Sequence, residues 1–258
     1  MTDIYQHFRS EEKDFVDSVI QWRQYTETSY APKLTDFLDP RQQWIVQSII
    51  GKDGEIKCSF FGGYEQAERK RALIYPSYYS PSEEDFLITV AEINYPHKFV
   101  SIDHRKVLGS LMSIGLKREK FGDIIVSGEK VQFLSVKEMN DFVRMEFTHV
   151  GKTPVNVEDK PLADLLPNPE EWKESSTTVS SLRLDAVLGA IMNISRQKSQ
   201  LLIQSGHVKV NWKISEQTSF LCEEGDMISA RGFGRAKIVS IEGKTKKDKW
   251  RIVVGVLK

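Results

Sequence analysis

The sequence lacks the features that mark several large protein classes. Only two of its 258 residues are cysteines, Cys58 and Cys222, and they have no zinc or disulfide spacing. We therefore expect free thiols in a reducing compartment. The five histidines form no cluster with cysteines or carboxylates, so we expect no metal and no other cofactor. No apolar run could span a bilayer, and residues 1–15 are too polar for a signal peptide. These absences predict a cytoplasmic protein without membrane contact.

Motifs of nucleotide-dependent and nucleophilic enzymes are missing as well. The sequence contains no P-loop, no G-x-G-x-x-G run and no Ser/His/Asp pattern, which bind phosphates or activate a hydroxyl in many enzymes. We therefore expect a protein that is not an enzyme.

Positive charge is concentrated in one part of the chain. The formal net charge is zero, because 36 Lys and Arg balance 36 Asp and Glu. Residues 180–258 nevertheless hold 14 Lys and Arg against 7 Asp and Glu, a net charge of +7. Such a cationic segment is typical of proteins that contact phosphate groups. The tip Lys244–Lys249 adds four lysines between two predicted strands, and we expect it to form an outer phosphate contact.

Residues 181–211 predict two short helices followed by a strand. Apolar residues at i, i+4 and i+7 from Leu184 share one helical face. Ser195 is suited to cap a second helix, and Gly206 is suited to end it. From Val208 onward apolar and polar residues alternate, as in a half-buried strand.

Basic and polar residues gather around these elements. Arg196 and Lys198 would reinforce the preference of a helix N-terminus for anions. Taken singly, each cation is better explained as a solvated surface charge than as a ligand contact, and Lys209 and Lys213 as the polar face of an edge strand. The ordered set favours nucleic-acid binding. The predicted RNA contacts are Arg183, Arg196, Gln197, Lys198, Lys209, Lys213 and Arg231.

This stretch resembles the S4 RNA-binding domain, with its αL-type arrangement of two helices and a strand. Gln200 and Gln204 stand where that family often carries arginine, and Trp212 replaces a common turn glycine. The matching residues are Arg183-Leu184-Asp185, Ser195-Arg196, Leu202-Ile203, Gly206-His207-Val208, Val210-Asn211 and Gly225-Asp226.

The rest of the chain predicts an α+β protein with two further domains. Residues 1–75 are expected to be mainly helical, and the basic run within residues 60–76 to be a helix face. Residues 76–160 predict a β-α-β-β-α-β order, the ferredoxin-like plan of RNA recognition motifs, without aromatic residues typical of base stacking on the third strand. Residues 161–180, rich in proline, acid and serine, predict a flexible linker to an S4 domain at 181–258.

A loop in the middle domain is a candidate for a second RNA contact. Residues 117–123 read KREKFGD, in which three cations could hold a phosphate and an aromatic ring could stack on a base. The alternative is a charged turn whose phenylalanine is tucked into the core. The residues in question are Lys117, Arg118, Lys120 and Phe121.

Taken whole, the chain resembles the YlmH family of bacterial proteins, on the strength of the Gly115–Asp123 stretch and the Arg183–Asn211 pattern. The resemblance implies binding of rRNA and tRNA on the large ribosomal subunit. It further implies action on stalled complexes that carry peptidyl-tRNA, in ribosome-associated quality control. We expect RNA rather than DNA as the ligand, and a monomer.

Two other functions stay open. S4 domains accompany pseudouridine synthases, whose catalytic aspartate lies in an Arg-Leu-Asp context. Here Asp185 opens a short helix, and we expect a structural carboxylate that pairs with a nearby cation. The second alternative is a cell-division scaffold that binds proteins, for which the acidic part of the chain would be the working surface.

Overall fold

The computed structural model describes residues 4–51, 54–167 and 172–257. The chain divides into two compact units, Met1–Pro169 and Glu170–Lys258. Both units mix helices with antiparallel strands, which confirms the predicted α+β class. No helix within the described ranges is long and apolar enough to cross a membrane.

The N-terminal part of the first unit has the predicted helices and, in addition, a three-stranded sheet. Asp39 begins the second helix: its carboxylate accepts a hydrogen bond from the Gln42 backbone N–H at 2.9 Å, and Pro40 occupies the first turn. The sheet order is β1-β3-β2, with both pairs antiparallel. The elements are α1 (Lys13–Ser29), β1 (Lys33–Leu38), α2 (Pro40–Ile50), β2 (Ile56–Phe61) and β3 (Lys70–Pro76).

The basic run predicted as a helix face lies instead at β3, so that prediction was wrong. Arg69 and Arg71 are only 4% and 2% exposed. The Arg71 guanidinium donates to the backbone oxygens of Thr35 at 2.7 Å and of Phe86 at 2.9 Å. Backbone acceptors therefore satisfy a buried charge that would otherwise be costly. The two arginines join the sheet to the rest of the first unit.

The middle of the first unit has the predicted βαββαβ order. The sheet order β5-β6-β4-β9 is antiparallel throughout, and α3 and α4 cover one of its faces. The second helix of this part ends at Glu146, and residues 149–150 then pair with residues 153–154 in a short two-stranded sheet. The elements are β4 (Ile88–Asn94), α3 (His104–Ser113), β5 (Phe121–Ser127), β6 (Lys130–Val136), α4 (Asn140–Glu146), β7 (His149–Val150), β8 (Thr153–Pro154) and β9 (Asn156–Lys160).

The second unit is one six-stranded sheet with two helices packed on a single face. Its strand order is β10-β15-β14-β13-β11-β12. The helices contribute Leu184, Leu188 and Ile203 to a core shared with Ile238 and Ile252 of the sheet. The elements are β10 (Trp172–Val179), α5 (Leu184–Ile191), α6 (Arg196–Gln204), β11 (Val208–Val210), β12 (Lys213–Ile214), β13 (Met227–Ala230), β14 (Gly234–Lys244) and β15 (Trp250–Leu257).

Most of the predicted linker, residues 161–180, is ordered structure. Leu162, Leu165 and Leu166 pack on the middle sheet. Strand β10 pairs with β15 along its whole length. Strand β10 is an edge strand with mostly exposed side chains. Its polar sequence therefore resembles that of a flexible linker.

Candidate nucleic-acid interface

Local sequence signals build the two helices of the candidate interface. The Ser195 hydroxyl accepts a hydrogen bond from the Lys198 backbone N–H at 3.2 Å and begins α6. Gly206, with φ of 70°, ends it. The backbone N–H groups of Gly206 and His207 donate to the carbonyls of Ile203 and Leu202, both at 3.0 Å, which is the Schellman pattern. The predicted cap and stop are confirmed.

The α5–α6 crossing is tight at Gly189. A Cβ placed on Gly189 would lie 3.2 Å from the Ile194 carbonyl oxygen and 3.2 Å from the Ser199 hydroxyl oxygen. Ser199 is fully buried. The helices therefore approach closely enough for a side chain of α5 to reach the first turns of α6.

That side chain is Asp185, a fully buried carboxylate shared by several donors. Arg196 donates from Nε to Oδ2 at 2.9 Å and from Nη2 to Oδ1 at 3.2 Å. Gln200 donates to Oδ2 at 2.8 Å, and Arg183 Nε lies 3.5 Å from Oδ1. Asp185 is thus the structural carboxylate that the sequence predicted, and Gln200 fills a position where an arginine is common in S4 domains.

Electrostatics favour the ionised form of this carboxylate. Burial by itself would raise the pKa of Asp185, but the hydrogen bonds from Arg196 and Gln200 and the charges of Arg196 and Arg183 outweigh it. The pKa therefore lies below its ordinary value. The Arg196 side chain remains 52% exposed and uses two of its five N–H groups on Asp185. Asp185 holds the guanidinium in place while its other N–H groups stay available to an anion.

Lys198 lies on α6 two residues after Arg196, and it connects α6 to the turn that carries Arg231. The Lys198 ammonium is 5.4 Å from the centroid of the Phe233 ring, which joins α6 to the β13–β14 turn. Arg231 is in that turn, and its backbone N–H donates to the His207 carbonyl at 2.9 Å. The side chains of Lys198, Arg231 and Gln197 are exposed. We define the helical surface as Arg183, Arg196, Gln197, Lys198 and Arg231.

Lys209 and Lys213, predicted as part of the same site, lie elsewhere. Val208 and Val210 point into the core beneath the helices, so Lys209 between them faces the opposite side of the sheet. Lys213 follows a tight turn in which Asn211 and Trp212 have φ of 48° and 66°. The structure therefore divides the seven predicted residues between the helical surface and the β11–β12 hairpin.

The second candidate, residues 117–121, is mainly structural. Phe121 is fully buried and packs edge-on against Phe133 at 6.2 Å, so the prediction of base stacking was wrong. The Arg118 guanidinium donates to the carbonyl oxygen of Phe121 at 2.6 Å. Lys120 pairs with Asp36 at 2.8 Å. Lys117 is exposed.

The aspartate that follows has a similar role. The Asp123 carboxylate accepts hydrogen bonds from the Tyr64 hydroxyl at 2.7 Å and from the backbone N–H groups of Glu68 at 2.8 Å and Arg69 at 3.0 Å. The Gly115–Asp123 stretch therefore fastens the N-terminal part of the first unit to its middle part.

Comparison with known proteins agrees with this organisation. Three family models match: "YlmH, N-terminal" at residues 11–79, "Putative RNA-binding domain in YlmH" at 81–164 and "S4 domain" at 182–228. "Ribosome-associated protein quality control protein P2" of Bacillus subtilis (strain 168) is 49% identical over 252 residues, covering 98% of each chain. The chain belongs to the YlmH family.

A solved structure from the same family is also similar. "Cell division protein ylmH from Streptococcus pneumoniae" is 34% identical with a TM-score of 0.55, and the match covers 63% of this chain and 99% of that one.

In this YlmH protein, the sheet face on which RNA recognition motifs stack bases is covered. The face of the middle sheet opposite its helices packs Val90, Ile125 and Leu134 against Phe37 of β1. Gln132, only 1% exposed, accepts a hydrogen bond from the Leu166 backbone N–H at 2.8 Å. This fixes the segment after β9 on the same face. RNA contact by this domain would need a different surface.

The lysine-rich tip of this YlmH protein is an ordered hairpin end. Lys244 pairs with Asp248 at 2.7 Å and lies 5.5 Å from the Trp250 ring centroid. Lys246, Lys247 and Lys249 are exposed. They can meet phosphate groups without rearrangement of the strands.

Proposed function

We propose that this protein binds RNA on the large ribosomal subunit through the helical surface and acts without catalysis in ribosome-associated quality control. The observation that carries the proposal is the buried Asp185, which accepts two hydrogen bonds from the exposed Arg196 guanidinium and lies 3.5 Å from Nε of Arg183. Arginines held in this way suit phosphate recognition, because little side-chain entropy is lost on binding. The match to the S4 model and the name of the B. subtilis relative support the same function.

The finer proposal is that the ligands are rRNA and tRNA together, on subunits that still carry peptidyl-tRNA after stalling. Phosphate contacts position a protein on RNA and carry no sequence information, so the helical surface fits either RNA. We expect a cytoplasmic monomer.

The state of Asp185 argues against the pseudouridine synthase alternative. A nucleophilic carboxylate must reach a substrate, whereas Asp185 is 0% exposed and accepts hydrogen bonds from Arg196 and Gln200. Its local geometry is that of a positioning group for cations.

Sedimentation in a sucrose gradient of cell lysate tests the proposal. We expect the wild-type protein to migrate with large subunits, and this comigration to be lost after RNase treatment. The variant K198E/R231E should leave the ribosomal fractions, because it reverses two exposed charges without touching Asp185. The matched control is K57E/K152E, which reverses two exposed lysines of the first unit.

The second candidate is a protein-binding scaffold of cell division, favoured by the name of the S. pneumoniae protein. It predicts migration at the top of the gradient, above intact ribosomes. It also predicts association that varies little with salt, whereas RNA affinity held by several cations should fall steeply as salt rises. Either result would contradict the ribosomal function.

A further inference from the structure

The six-stranded sheet of the second unit has a second, helix-free face. Side chains alternate along each strand, so β14 buries Ala236 and Ile238 beneath the helices and directs Arg235 and Lys237 away from them. The cross-strand register places Lys209 opposite Ser229, and Ser229 opposite Arg235. Lys209 and Arg235 therefore share this face two strands apart, about 10 Å at the usual strand spacing.

An aromatic ring lies on the same face next to one of these cations. Trp172 of β10 contacts Gly255 of β15: a Cβ built on Gly255 would be 3.5 Å from Cε3 of the indole. The indole therefore lies over Gly255 on the outer side of the sheet. The Arg235 guanidinium is 5.9 Å from the Trp172 ring centroid. A half-buried indole beside an arginine can stack on a nucleobase.

The charge of this face suits a polyanion. Among the described residues, neither Lys209 nor Lys237 has an ion-pair partner, and both are exposed. Glu174 of β10 lies opposite Gly255 of β15, and Gly255 in turn lies opposite Lys237 of β14. The Glu174 carboxylate opposes phosphate binding on that side.

We propose that this face is a second RNA-binding surface, in which Lys209, Arg235 and Lys237 contact phosphates and Trp172 stacks on a base. We call it the outer sheet face. This proposal rests on the proposed function, because it takes RNA as the ligand. The outer sheet face is nevertheless a different side of the domain from the helical surface. An ordinary solvated sheet face would also be polar. The indole beside a cluster of cations is what points to RNA.

The variant K209Q/K237Q tests the two lysines without reversing charge. Binding of the full-length protein to deproteinised large-subunit rRNA is measured by filter binding across a salt series. Each lost phosphate contact should reduce the salt slope by about 0.7–0.9 and the affinity at 0.1 M salt by about five- to eightfold. We expect a combined loss of about 25- to 60-fold, and no change for the control K57Q/K152Q.

Two further variants test the indole and the carboxylate. W172A should weaken binding by about tenfold, whereas W172F should keep most of the affinity, because it retains an aromatic face. E174Q should tighten binding, because it removes a charge that repels phosphate. A thermal melt of each variant accompanies the binding measurement.

The outcomes separate this proposal from the proposed function. Full affinity and an unchanged slope for K209Q/K237Q, with K198E/R231E still defective, would overturn the outer sheet face and leave the helical surface standing. Full affinity for both would overturn both. Loss of binding to whole subunits by K209Q/K237Q, with binding to deproteinised rRNA unchanged, would identify a ribosomal protein as the partner and overturn the assignment to RNA.

Discussion

Replacing Asp185 by asparagine gives the sharpest test of how the helical surface is built. Both carboxylate oxygens accept hydrogen bonds, Oδ1 from Arg196 and Oδ2 from Arg196 and Gln200. In D185N one oxygen becomes an amide N–H₂ group that faces a donor. The variant therefore loses charge-assisted bonds and gains a donor–donor contact in a fully buried position.

The size of the expected loss of stability in D185N depends on how exposed the partners of Asp185 are. Hydrogen bonds to charged groups contribute about 1.5–3 kcal/mol each, and removing one partner of a buried pair costs about 3–5 kcal/mol. The Arg196 side chain is 52% exposed, so water recovers part of this loss. We expect D185N to lower the free energy of unfolding of the second unit by about 2–3 kcal/mol. For a domain of this size, that corresponds to about 10–20 °C in the midpoint.

Differential scanning calorimetry of the full chain measures this shift. The matched control is D248N, which removes an 82% exposed carboxylate from a surface ion pair in the same unit and should change stability by less than about 0.5 kcal/mol. A D185N midpoint that moves no further than that of D248N would refute the structural role of Asp185.

Three further predictions follow from the described contacts. G122A should destabilise the first unit by about 1–3 kcal/mol in urea denaturation, because its Cβ would lie 2.8 Å from the Phe37 ring. G109A, in open space on α3, should stabilise the same unit by about 0.5–1 kcal/mol. Equal effects of the two substitutions on the free energy of unfolding would contradict the tight packing of Gly122 against Phe37. W212G should be more stable than W212A by about 1 kcal/mol in the same assay, because φ of 66° favours glycine. The stability advantage of wild type over D185N should hold above about pH 5 and shrink below about pH 4 in melts across pH, because the pKa of Asp185 is lowered in the folded protein; an advantage that grew on acidification would contradict it.

Signals within a few residues of each other were enough to predict the helices of the S4 domain. The Ser195 cap and the Gly206 stop are confirmed because each depends on backbone groups of its own turn. The position of Lys209 on the far side of the sheet also follows from strand alternation, which the sequence already contains. Applied to β14, the same alternation would have predicted that Arg235 and Lys237 lie on the same side of the sheet as Lys209.

Contacts between distant segments were beyond reach of the sequence. The sequence left open whether Phe121 is exposed in a charged loop or tucked into the core, and the structure buries it against Phe133. The covering of the middle sheet by Phe37 depends on how β1 meets β5 and β6, which no local pattern records. Strand β10 has the composition of a linker, and it is a strand because it pairs with β15. The sequence of β10 alone does not contain that information.

The position of β15 has a consequence for biosynthesis. Among the described strands of this sheet, β15 comes last along the chain, yet it lies between β10 and β14 and pairs with both. While the chain is being translated, β10 and β14 therefore have no common neighbour and each presents an unpaired edge, which is a liability for aggregation. A chain that stopped before Trp250 could complete its first unit but would leave the sheet of the second open, so a stalled copy of this protein would itself be a substrate for chaperones and proteases.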